Sequence, residues 1–130
     1  MSRKQSREKA FQLLFSLCFD EEIKTDLDMV MDEKPDEKEL AYINELCTAV
    51  SGNLKDIDAL VEKHAHGFSL DRIFKVDLTA LRMAVGEVMY LDTPDIVAVN
   101  EAVNIAKKYG TDKSGGYVNG ILASVLKEKK

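Results

Sequence analysis

The chain has 130 residues, about the commonest length for a single domain and enough to bury a hydrophobic core without disulfide or metal staples. With 45% hydrophobic and 32% charged residues, 2 Pro and 7 Gly, it falls outside the disordered, collagen-like and low-complexity classes. The net charge of -5 hides an arrangement in blocks: four basic side chains and one acid in residues 1–10, ten acids and three Lys in 20–39, ten acids and five bases in 40–106, six Lys and two acids in 107–130. Both ends are basic and the middle is acidic. Such a chain can still bind nucleic acid if its basic ends converge in the fold, because phosphate attraction acts over about 8 Å. Cys18 and Cys47 are too few for a secreted disulfide framework and sit in apolar stripes, so reduced, buried thiols and a cytoplasmic setting are expected.

Taken in chain order, the first element is a helix over residues 3–19. Its basic start and apolar run, Phe11 to Phe19, imitate a signal peptide, but Gln12 and Ser16 interrupt the run and Asp20-Glu21-Glu22 follows where a small-residue cleavage site would lie. Apolar positions then recur at helical spacing over residues 23–33, 36–51 and 53–66, with a short helical turn near 69–74. Three more helices follow at 77–91, 98–109 and 114–127. Asp36 with Glu39 reads as a capped helix start, Gly67 and Gly110 as helix ends, Thr93-Pro94-Asp95 as a turn, and Ser69 and Ser114 as caps of the helical segments after them. No segment alternates with period two and no stretch reaches the roughly 20 apolar residues of a membrane span. The expected fold is all-α: seven or so short amphipathic helices, joined by short loops into a compact bundle or two small linked ones.

Catalytic patterns are nearly absent, so an enzyme is not expected. His64 and His66 point about 200° apart on a helix and cannot share a metal. Neither cysteine belongs to a C-x-x-C pair, and Gly110-Thr111-Asp112-Lys113-Ser114-Gly115-Gly116 has the composition of a phosphate loop without its spacing or preceding strand. No cofactor or metal is implied. Arg82, within an apolar helix, reads as the ion-pair partner of an acid such as Glu101. Binding signals are better: Lys4 and Phe15 lie about 20° apart around the first helix with Phe11 between them. Tyr117 stands one turn beyond Lys113, after a glycine-rich and mobile-looking segment. Cation, aromatic ring and pliable backbone together suit single-stranded nucleic acid.

Four strings carry a resemblance that spans essentially the whole chain. They are Arg3-Lys4-x3-Arg7-Glu8-x-Ala10-x-Gln12-x-Leu14-Phe15, Val76-Asp77-Leu78-x2-Leu81-Arg82-Met83-Ala84-x2-Glu87, Val97-Ala98-Val99-Asn100-Glu101-Ala102-Val103-x-Ile105-Ala106-Lys107-Lys108-Tyr109-Gly110, and Tyr117-Val118-Asn119-Gly120-Ile121-Leu122. In order and spacing the sequence resembles the bacterial transcription antitermination factors of the NusB family. The resemblance implies one unit made of two helical bundles, about 1–52 and 53–130, which binds the boxA element of ribosomal-operon RNA. It implies a partner, the small-subunit ribosomal protein that doubles as NusE, and a place in the RNA polymerase antitermination complex. Carried over by position, Arg3, Lys4, Arg7 and Tyr117 face RNA, while Phe15 and Asp77 belong to the protein-partner side; Lys113 and Ser114, placed just before Tyr117, are added to the RNA side on their own position in the sequence. The chain departs from the family where Gly116 precedes the aromatic in place of a frequent Lys, and where Gln5 and Ser6 thin the first basic cluster. A helical interaction or accessory module of an rRNA-modifying system, without boxA specificity, is the alternative. The sequence leaves the oligomeric state open, a homodimer included.

Overall fold

The computed structural model describes residues 2–19 and 36–129, so the helix expected over 23–33 lies outside the described residues. Within them stand six α-helices and no strand: α1 (Arg3–Phe15), α2 (Glu37–Gly52), α3 (Leu54–His64), α4 (Lys75–Tyr90), α5 (Asp95–Tyr109) and α6 (Ser114–Lys129). Short 3-10 turns at Ser16–Cys18 and Leu70–Arg72 continue α1 and precede α4.

Local chemistry sets most of the boundaries. Ser2 caps α1 reciprocally: its hydroxyl accepts from the Gln5 amide at 3.2 Å, and the Gln5 side chain accepts from the Ser2 amide at 2.8 Å. Asp36 caps α2, accepting from the Glu39 amide at 2.8 Å, yet the Glu39 carboxylate does not close the box; it turns to Ser6 and Arg3 of α1 instead. Two helices start earlier than expected, α4 at Lys75 and α5 at Asp95, because Phe74 and Pro94 cap them without a side-chain hydrogen bond that a sequence could advertise. Ser69 likewise makes no capping hydrogen bond; its hydroxyl donates to Asp71. His66 and Gly67 leave α3 with positive φ, 50° and 93°, which ends the helix abruptly.

Helix α4 is the axis of the molecule. Every residue from Asp77 to Val88 is buried, and the helix packs against all five others. All-round burial suits a mostly apolar helix, and Asp77, Thr79, Arg82 and Glu87 are buried along with its apolar residues. Around it Leu14, Ile43, Leu46, Ile57, Leu81, Val85 and Val118 are almost wholly enclosed in one continuous core, each contributing about 1.5–3 kcal/mol by leaving water. At Gly86 the backbone of α4 comes so close to α2 that a Cβ would stand 2.8 Å from Val50 Cγ2.

Three polar expectations change in the folded chain. Arg82 pairs with Asp58 of α3, Nε and Nη2 each 2.8 Å from a carboxylate oxygen, and not with Glu101. Gly115 and Gly116 stand in the first turn of α6, within the helix expected over 114–127, and Gly115 is buried, so the end of the mobile-looking glycine-rich segment is helical. Cys47 is buried, its thiol pushed up to about 12 by desolvation, while Cys18 is only half-buried, its sulfur 3.3 Å from the Thr79 hydroxyl.

Candidate nucleic-acid interface

The N-terminal turn of α1 places its cations in three different settings. Arg3 lies with its guanidinium carbon 4.0 Å from the Tyr42 ring centroid and Nε 3.3 Å from Glu39, its side chain still 40% exposed. It borders a groove of about 500 Å³ that Lys38, Tyr42, Glu45, Asp92 and Val97 also line. Lys4, one residue on and so about 100° around the helix, is exposed and borders a second groove, of about 360 Å³, between α1 and α5. Lys107 and Lys108 stand on its far wall.

Arg7 departs from its expected role. It is 7% exposed, and its guanidinium makes a two-pronged pair with Glu87 of α4, Nε to Oε1 at 2.9 Å and Nη2 to Oε2 at 3.2 Å. The Tyr42 hydroxyl donates to the same carboxylate. Burial opposes the charge on Arg7, but the hydrogen bond and charge of Glu87 outweigh it and hold the group more firmly protonated than usual. Nε and Nη2 are committed to Glu87, so Arg7 ties the basic end of α1 to the central helix, while the residue also lines the groove that Arg3 borders.

The start of α6 also divides into surface and support. Lys113 is exposed, whereas Ser114 is 1% exposed, its hydroxyl accepting from the Thr111 amide at 2.9 Å, so it closes the turn from inside instead of reaching outward. The Ser114 hydroxyl packs under Gly110, where a Cβ would collide with it and would approach the Ala106 carbonyl to 2.6 Å. Tyr117 is half-buried, one side of its ring on the core. Burial and the nearby charge of Asp77 both push its hydroxyl pKa up.

Asp77, expected at a docking surface, lies beneath it: the residue is 6% exposed and Oδ1 has no hydrogen-bond partner. Burial raises its pKa, with the Ser114 hydroxyl pulling the other way. The aromatic side of α1 is more accessible. Phe15 is half-buried between Phe11, at 6.1 Å centroid to centroid, and Phe19, at 5.5 Å. Phe19 is 67% exposed with the Lys75 ammonium 5.5 Å from its ring, and Phe11 stacks on Tyr109 at 5.1 Å.

The two basic ends converge in part. Lys107 and Lys108 face Lys4, but Lys129 reaches the opposite end, 3.1 Å from Asp95 and 3.4 Å from the Val88 carbonyl. Sequence reasoning missed Lys107 and Lys108 as members of the surface, and Glu39, Tyr42 and Glu87 as its frame. The third of the four strings contains the two lysines, at the end of a helix where lysines are commonplace. Among the described residues no cluster of His, Cys, Asp and Glu could hold a metal ion, and no helix is long and apolar enough to cross a membrane.

The geometry defines an all-helical protein with cations on two grooves that flank one helix terminus, an aromatic ridge along the same helix, and a partly exposed tyrosine in the first turn of α6. This chain belongs to the NusB family, whose model matches residues 4–127. It is 40% identical over 128 residues to "Transcription antitermination protein NusB" of Agathobacter rectalis, covering 95% of this chain and 98% of that one. The solved structure of T. maritima NusB shares 35% identity at a TM-score of 0.89 and covers 98% of this chain and 92% of that one. A solved complex titled "Crystal Structure of Antitermination Factors NusB and NusE in complex with dsRNA" contains a chain 27% identical, with a TM-score of 0.81, covering 97% of this chain and 96% of that one.

Proposed function

We propose that this protein is an RNA-binding transcription antitermination factor of the cytoplasm. It holds boxA-type single-stranded RNA of ribosomal operons together with the small-subunit ribosomal protein NusE, and the assembly lets RNA polymerase pass terminators. The work is binding, not catalysis. One observation carries the reading: Arg3 and Lys4, neighbours in sequence, open onto different grooves on the two sides of α1, so one strand crossing the helix terminus meets a cation on each side. Phosphate contacts supply affinity and a stacked base adds sequence-tolerant grip.

In this reading Arg3, Lys4 and Lys113 touch phosphates and Tyr117 stacks on a base. Arg7 and Ser114 hold those groups in place from beneath the surface. Phe15, with Phe19 beyond it, supplies the apolar part of the protein-partner face, and Asp77 supports that side from within. The chain acts as one unit of two bundles, about residues 1–52 and 53–130, joined through α4.

Anisotropy of a labelled boxA RNA against a base-scrambled RNA of equal length tests the proposal, each titrated with and without the ribosomal partner. Tighter binding of boxA, strengthened by the partner, is expected. Equal affinity for both RNAs would contradict boxA recognition and leave a general RNA-binding module.

A further inference from the structure

Lys107 sits in the last turn of α5 and its side chain runs across the first turn of α6. A Cβ placed on Gly115 would stand 2.9 Å from both Cγ and Cε of Lys107. Contact at both ends of the stem means that no small adjustment of the ammonium end would relieve it; the whole side chain would have to swing away. Gly116, next in the same helical turn, has nothing within 4 Å of the corresponding point. Helical conformation demands neither glycine, so the requirement at 115 is for space.

Beyond Gly115, Lys107 borders the groove between α1 and α5 opposite Lys4. Two acids share this groove, Glu8 and Glu101. Glu8 is engaged by Lys108 at 2.9 Å, and Glu101 adds to the negative field that favours the Arg7 charge. Among the described residues neither Lys4 nor Lys107 has an ion-pair partner; Lys108 holds Glu8, and Glu101 shares the groove with the two cations.

We infer that Gly115 is a positioning residue: the absence of a Cβ lets the Lys107 stem lie across α6, which holds its ammonium in the α1–α5 groove, where it binds an RNA phosphate jointly with Lys4. The inference rests on the proposed RNA binding and adds to it a contact and the reason that contact is ordered. The α6 backbone beneath the stem removes rotamers from a side chain that otherwise loses them only when ligand arrives.

The test is the salt dependence of boxA RNA affinity, with the ribosomal partner present, for the unsubstituted protein and for Gly115→Ala, Gly116→Ala, Lys107→Ala and the Gly115→Ala/Lys107→Ala pair. One lost contact to a single strand lowers the log–log slope by about 0.7, so the affinity lost over a fourfold rise in salt shrinks about two- to threefold. Gly115→Ala and Lys107→Ala are expected each to show this change, the pair no more than either alone, and Gly116→Ala none. A glycine replaced by alanine inside a helix favours the fold, so weaker binding by Gly115→Ala in a protein that melts no earlier excludes unfolding as the cause. An unchanged slope for Gly115→Ala, or an equal loss in Gly116→Ala, overturns the inference while the RNA reading stands. Absence of RNA binding by the unsubstituted protein overturns both.

Discussion

Arg3 and Arg7 are one helical turn apart and chemically alike, yet one rests on an aromatic ring with its charge toward solvent and the other is locked to Glu87. The difference lies in what each faces: Arg3 reaches Glu39 across 36 residues of sequence, and Arg7 reaches Glu87 across 80. Partners so distant in sequence leave no periodic signal, which is why the cations were legible and their division of labour was not. Tyr117 was legible as an aromatic beside a lysine, and its half-buried ring fits a stacking platform. Tyr117→Ala is expected to cost about 1–3 kcal/mol in RNA binding and Tyr117→Phe to be nearly silent, read by anisotropy at a temperature where both variants are folded. Asp77 was assigned to the protein-partner side by the family resemblance alone; the packing of α4 against α6 could not be seen from its neighbours in sequence. Its raised pKa has a consequence for stability. The folded state favours protonated Asp77, so that contribution is complete below the ordinary aspartate value of about 3.9 and is lost as pH rises through the raised value. Asp77→Asn is expected to flatten this fall in stability in urea titrations taken across acidic pH. An identical pH profile in variant and parent would remove Asp77 as its source.

Among the elements, helical periodicity located all six described helices, and the errors concentrate at the starts of α4 and α5. There the chain enters the helix through Phe74 and Pro94, which offer no capping side chain. The Arg82 partner was misjudged for a related reason: Glu101 and Asp58 are both acids on neighbouring helices, and only the arrangement of α3 beside α4 selects Asp58. The join between α1 and α4 depends on the Arg7–Glu87–Tyr42 cluster. Removing the cation leaves Glu87 buried with its charge uncompensated, so Arg7→Ala is expected to destabilise the fold by about 3–5 kcal/mol, read by chemical denaturation. RNA binding by the fraction that remains folded is expected to keep its salt slope, because Arg7 touches no phosphate in this account. The close approach of α4 to α2 gives a second expectation at this scale. Gly86→Ala forces a Cβ against Val50 Cγ2 and is expected to cost about 1–3 kcal/mol, against the usual gain from removing a helical glycine. A Gly86→Ala protein that melts at or above the parental temperature would show that α2 yields easily.

At the scale of the whole molecule, charge blocks announced a basic surface and the fold assembles only part of it. Lys107 and Lys108 join Lys4 across one groove, while Lys129 closes the far end of the bundle against Asp95. Composition counts charges along the chain; helix direction decides which ones meet, and α6 carries its last lysines away from the surface that its first turn supports. The acidic middle of the sequence suits a basic ribosomal protein, since complementary charge speeds encounter and fixes register. In the proposed function the cationic surface on α1, the tyrosine of α6 and the aromatic ridge work together on one RNA–protein assembly to carry polymerase past terminators. Transcription in vitro through a terminator placed downstream of boxA tests it most directly, with NusE present and this protein added or withheld. Greater read-through is expected when the protein is added, lost when boxA is scrambled and reduced by the joint Arg3→Ala and Lys4→Ala substitutions. Read-through that is the same with and without the protein, on a template whose boxA RNA it binds, would contradict it.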